Sequence, residues 1–84
     1  MHRRHLPTLE AVFSHPASGS IRWRAIEALL VALGARLQQR EGSRIAVIWN
    51  GRVDVFHRPH PSPDTDKGAV ASVRRLLEAN GVHP

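Results

Sequence analysis

Apolar residues recur along this chain with two different periods, and the change of period divides it into elements. In "SIRWRAIEALLVALGA", Trp23, Ile26, Leu30 and Leu33 fall three or four apart on one helical face, and Leu29 broadens the stripe. Arg22, Arg24 and Glu27 take the opposite edge, Ser20 is the expected N-cap, and Gly34 supplies the left-handed position that ends the helix. The stretch "KGAVASVRRLLEANG" repeats this design. Val70, Val73 and Leu77 form its stripe with Leu76 beside it, Thr65 or Asp66 caps its start, and Gly81 closes it. Arg74 and Arg75 are neighbours on that helix and diverge by about 100°, so one is expected over the apolar stripe and the other in water.

Between the two helices the period falls to two. "ARLQQREG" sets Leu37 among polar residues, which suits a short edge strand. "GSRIAVIWNGRVDVFHRPH", Gly42 to His60, reads as a hairpin with Asn50-Gly51 as its turn, since both residues tolerate the positive φ of a type I′ turn. A two-residue loop sets Arg44 opposite His57, Ala46 opposite Val55 and Ile48 opposite Val53 on one side. Ile45 with Phe56, Val47 with Asp54 and Trp49 with Arg52 take the other side. Pro59, Pro61 and Pro63 then remove ladder donors, so "RPHPSPD" is expected to be an extended, stiff connector. Ahead of the first long helix, "TLEAVFSHP" offers Thr8 as N-cap, Leu9, Val12 and Phe13 at helical spacing and Pro16 as a stop, followed by an "ASGS" linker. Residues 1–7 show no periodicity and are expected to be loose. The layout is α+β: a three-stranded antiparallel sheet with two helices on one face. Residues 1–19 form a short helical extension and linker, and residues 20–84 the main domain.

Composition narrows the chemistry. The 84 residues suffice for one small domain. There is no cysteine, which excludes disulfides, zinc–thiolate sites and thiol catalysis. The start "MHRRHLPTLE" lacks an apolar signal core and no segment has the length of a membrane span, so a cytoplasmic protein without a membrane partner is expected. The net charge is +5, and eleven of the twelve basic residues are arginine. Arginine grips phosphate through a bidentate fork and stacks on bases, so the excess favours a polyanionic partner. Charge alone does not separate nucleic acid from an acidic protein, nor either from a basic surface kept for solubility.

A helix ending in Leu33-Gly34, a Gly42-Ser43 step opening a hairpin, Pro59-His60 in a connector, and a capped helix from Lys67-Gly68 to Gly81-Val82 follow one another over roughly Ile21 to Val82. In that order and spacing they resemble the HicA toxin family. The resemblance implies a dsRBD-like α-β-β-β-α fold and ribosome-independent endoribonuclease activity, that of an mRNA interferase in a bacterial type II toxin–antitoxin pair. It also implies RNA and a cognate HicB-like antitoxin as partners. One position departs from the family pattern. The family carries its catalytic histidine directly after the Gly-Ser step, and Arg44 stands there in this chain.

Cleaving RNA without a metal needs one group to take the 2′-OH proton and another to protonate the leaving oxygen. Histidine, with an ordinary pKa of about 6.5, suits both roles. Arginine stays protonated to beyond about pH 12, so Arg44 can stabilise charge on the phosphorane but cannot transfer the proton. His57, opposite Arg44, and His60, in the connector, are therefore the catalytic candidates. Ser43, Arg44, Arg58, Lys67 and Gly68 are the candidate RNA-binding residues, Lys67 and Gly68 because the start of a helix attracts phosphate. The bland readings are a solvent-facing His57 and a His60 that holds the connector through a backbone hydrogen bond. No metal and no cofactor are expected: His57-x-x-His60 has no cysteine nearby, its residues alternate sides on an extended chain, and Asp66 is explained by capping. Trp23 belongs to the packing stripe, whereas Trp49, beside the turn, is the candidate exposed contact for RNA or antitoxin. Two functional readings stay open: an RNA-cleaving toxin, and a catalytically inactive module of the same fold that binds RNA or antitoxin through its arginines. An unrelated structural domain is the third.

Overall fold

A computed structural model describes residues 2–14 and 20–84. A 3-10 turn, Arg3–His5, leads into α1, Leu6–Val12, which is followed by α2, Trp23–Ala32. Strands β1 (Arg36–Gln39), β2 (Arg44–Trp49) and β3 (Arg52–His57) come next, and α3, Lys67–Ala79, ends the series. The strands form one antiparallel sheet in the order β1-β2-β3. The hairpin register is the expected one, Arg44 opposite His57 through to Trp49 opposite Arg52. It is set by Asn50 at φ 49° and Gly51 at φ 80°, the positive pair a type I′ turn demands.

Both helix stripes and one face of the sheet meet in a single core. Trp23, Ile26, Leu29 and Leu30 of α2 and Val70, Val73, Leu76 and Leu77 of α3 close over Ile45, Val47, Trp49 and Phe56. The Trp23 and Phe56 rings stack at a tilt, centroids 5.4 Å apart. The opposite face of the sheet, bearing Arg36, Arg44, Val53, Val55 and His57, is exposed. An α+β sheet with helices on one side is thus the observed architecture, consistent with a dsRBD-like fold.

The helix starts differ from expectation in two places. Helix α2 begins at Trp23 with Arg22 in the cap position, so Ser20 is not its N-cap. The chain entering α2 is held instead by the connector: Trp23 N–H donates to Pro63 O at 3.0 Å and Thr65 N–H to Ile21 O at 2.7 Å. Helix α1 begins at Leu6 with Pro7 in its first turn and His5 in the cap position, so Thr8 lies inside the helix. The opening residues are likewise not loose, since Arg3–His5 forms a 3-10 turn and His5 is buried. Leu9 and Val12 are 2% and 0% exposed and join the main core. Pro16 and most of the expected linker lie outside the described residues. Asp66 caps α3, accepting from the Ala69 N–H at 2.7 Å, and Gly34 and Gly81 take positive φ where α2 and α3 end.

Candidate functional site

Arg44 opens β2 and His57 ends β3 directly opposite it. The neighbouring pair identifies the kind of opposition. Arg58 N–H donates to Ser43 O at 2.8 Å, and hydrogen-bonded pairs alternate with non-bonded ones in an antiparallel ladder. Arg44 and His57 are therefore a non-bonded pair, with Cα atoms about 4.5 Å apart and side chains drawn close on the open face of the sheet. Both are exposed. The Arg44 backbone is tied to the preceding loop, its N–H donating to Glu41 O at 3.3 Å and its carbonyl accepting from Arg40 N–H at 3.0 Å. Among the described residues the guanidinium makes one long contact, Nε to Glu41 O at 3.4 Å. A cation and an imidazole thus share one exposed corner of the hairpin.

His57 also belongs to a second surface. The end of β3, the connector and the start of α3 bound a groove of about 570 Å³ lined by His57, Arg58, His60, Asp66 and Gly68 among others. Residues 58–60 show no turn or bend, the first bend coming at Pro61, and His57 and His60 both contribute to the lining of this groove. His57 stands where the groove meets the open face and belongs to both surfaces.

The far wall is the start of α3. Gly68 lines the groove, and Lys67 is exposed at the first helical position. The positive pole there is already met by the protein's own carboxylate, since Asp66 Oδ1 takes the Ala69 N–H. An incoming phosphate at Lys67 and Gly68 would share that pole with Asp66, and Asp64 lines the same groove.

Arg58 is spoken for by its own protein. Its Nε donates to Glu27 Oε2 at 2.8 Å, Nη2 reaches Glu27 Oε1 at 3.5 Å, and Nη1 donates to Gln39 Oε1. Glu27 also accepts from the indole N–H of the buried Trp23. The hydrogen bond it donates to Glu27 raises the Arg58 pKa further above its ordinary value. Arg58 ties α2, β1 and the end of β3 into one piece and holds the groove wall. Glu27 and Gln39 were not legible as partners, because Glu27 lies 31 positions from Arg58 and no local pattern joins them.

Trp49 departs from expectation outright. It is 7% exposed, on the helix-covered face with Ile45 and Val47, and so is a core residue rather than an exposed contact. Of the paired arginines, Arg74 turns inward and donates to Val12 O at 3.0 Å, while Arg75 is exposed and donates to Ser72 Oγ at 3.1 Å. Among the described residues no three histidine, aspartate or glutamate side chains group so as to hold a metal ion, and no helix is long and apolar enough to cross a membrane.

A family model described as HicA toxin of bacterial toxin-antitoxin matches residues 23–82. That span runs from the first residue of α2 to just past α3, so it holds the whole sheet, Arg44, both groove histidines and Arg58, and leaves α1 outside. Searches of curated proteins and of solved structures returned no significant match.

Proposed function

The chain belongs to the HicA toxin family, and from that membership we propose that it is the RNA-cleaving toxin of a type II toxin–antitoxin pair, acting in the cytoplasm without a metal. The observation that carries this reading is the shared corner. The one residue that faces Arg44 across the hairpin, His57, is also a residue of the groove that holds His60.

In this reading one imidazole takes the proton from the ribose 2′-OH, the freed oxygen attacks phosphorus, and the bond from phosphorus to the 5′ oxygen breaks. The other imidazole, protonated beforehand, gives its proton to that oxygen. The products are a 2′,3′-cyclic phosphate and a 5′-OH end. Arg44 stabilises the extra negative charge on the phosphorane and transfers no proton, which is why two imidazoles are needed where a histidine at position 44 would supply one. Ser43 and Lys67 make the flanking phosphate contacts, Gly68 lets the RNA backbone come close, and Arg58 holds the wall rather than the RNA. A HicB-like antitoxin silences the toxin by covering this corner.

The test is cleavage of a single-stranded RNA by the purified protein in EDTA. The wild type should cleave, and His57→Ala and His60→Ala should each lose at least a hundredfold in rate while still binding RNA. Undiminished cleavage by the double variant would end the proposal.

The second reading, a module that binds RNA or antitoxin without cutting, is favoured by one observation. Arg44 stands directly after the Gly42-Ser43 step, and its guanidinium can hold a phosphate but cannot transfer a proton. Arg44→His separates the two readings. If it creates cleavage where the wild type shows none, the natural chain is the disarmed form.

A further inference from the structure

We propose that the free edge of β3 receives an extended acidic segment of a protein partner, added as a fourth strand, with its carboxylates on Arg52 and Arg75. The identity of that partner as an antitoxin rests on the toxin–antitoxin reading above; the docking surface does not.

The edge is open and in register for pairing. Strand β3 is the last in the sheet. Because Ser43 and Arg58 are a bonded pair, the alternation leaves Val53, Val55 and His57 with N–H and C=O groups pointing away from β2, into solvent. Protein edges of this kind are normally shielded by proline, a bulge or lysine. Strand β3, "RVDVFH", has no proline, bulge or lysine over six residues, and its one inward-facing charge, Asp54, stands beside Arg52. Val53 and Val55 are 57% and 53% exposed on the open face beside that edge. A strand laid along it would pair those backbone groups and cover both valines.

The other side of the edge supplies the charge preference. Between β3 and α3 lies a cleft of about 420 Å³ lined by Arg52, Asp54, Ser72 and Arg75, with Phe56 at its floor. Arg52 meets Asp54 only at 3.7 Å, with more than half of its own side chain exposed. Side chains of an added strand that point to this side enter the cleft, where Arg52 and Arg75 outnumber the one carboxylate, Asp54, so carboxylates there meet a net positive lining. The cleft shares Val55, Phe56 and Ser72 with the histidine groove. A segment lying along the edge therefore continues over His57. Binding it and binding RNA at the Arg44–His57 corner exclude one another.

Nucleic acid fits this edge less well. It offers no donors and acceptors alternating at strand spacing, and two exposed valines give a phosphate backbone nothing to hold. A second copy of the chain is opposed by the net charge of +5 on each.

The probe is a capped ten-residue peptide alternating valine and glutamate, added to the full 84-residue protein, with amide hydrogen exchange followed by NMR. Saturating peptide should slow exchange of the Val53, Val55 and His57 amides at least tenfold. Val55→Pro removes one outward N–H without touching the β2 ladder, and should weaken peptide binding at least tenfold. Should that variant not fold, Arg75→Glu on the exposed side of α3 should weaken it to the same degree. The proposal is overturned if the peptide protects none of these amides, if they become protected by raising protein concentration alone, or if single-stranded RNA protects them and the peptide does not. RNA cleavage with no peptide protection removes this proposal alone. Peptide protection without RNA binding removes the toxin reading and leaves the docking edge standing.

Discussion

The Arg58 guanidinium donates through Nε to Glu27 Oε2 at 2.8 Å and so fastens the end of β3 to the middle of α2. Glu27 serves Trp23 at the same time. Replacing it with alanine leaves a buried indole N–H without an acceptor and a half-buried cation without its partner. Glu27→Ala should therefore lower stability by about 2 kcal/mol, read from urea unfolding. Glu27→Gln keeps an acceptor for the indole and should cost about half as much. Equal losses in the two variants would show that the carboxylate charge, not the indole bond, is what matters.

The segment ahead of the matched family region is part of the core. Leu9 is 2% exposed against α2 and α3, and Arg74 donates to Val12 O just beyond it. Leu9→Ala should destabilise the protein by about 3 kcal/mol through lost burial and a residual cavity. For a domain this small that is a sizeable share of the total. Thermal unfolding followed by circular dichroism checks it; an unchanged Tm would mean that α1 is only loosely docked.

Thr65 carries a buried hydroxyl for which no hydrogen-bond partner is found among the described residues, although its backbone N–H is satisfied by Ile21 O. Valine has nearly the same shape and no hydroxyl. Thr65→Val should raise stability by about 1 kcal/mol, because desolvating the hydroxyl is not repaid in the folded state. A loss of stability on urea unfolding would show that a water or a ligand satisfies the hydroxyl.

Asp66 does two opposing things: it caps α3 and sets a negative charge beside Gly68. Serine caps nearly as well without the charge. Asp66→Ser should leave stability within about 0.5 kcal/mol and raise RNA affinity about threefold at low salt. Fluorescence anisotropy with a labelled oligonucleotide measures the second effect. No change in affinity would place the RNA away from the start of α3.

Much of the fold was legible because the signals that carry it are local. Trp23, Ile26 and Leu30 share a face through the helical repeat alone. Asn50-Gly51 sets the register of Arg44 against His57 through its own backbone preference. The resemblance to the HicA family was legible on the same footing, from short motifs in order, and the family model matches nearly the same span. The candidate site was legible as a set of residue types but not as an arrangement. That His57 and His60 line one groove with the start of α3 depends on where the connector runs, which no local pattern of residue types reports.

The chain by itself determined the elements, the hairpin register and the basic, arginine-rich character, since period, turn chemistry and charge need no knowledge of distant residues. It could not determine which face of the hairpin the helices cover. Both faces carry apolar residues, Ile48, Val53 and Val55 on one and Ile45, Val47 and Trp49 on the other. Tertiary packing made that choice, and with it buried Trp49, exposed Val53 and Val55 beside a free edge, and joined Arg58 to Glu27. The reason is that burial and ion pairing are properties of surfaces brought together, and these surfaces lie tens of residues apart.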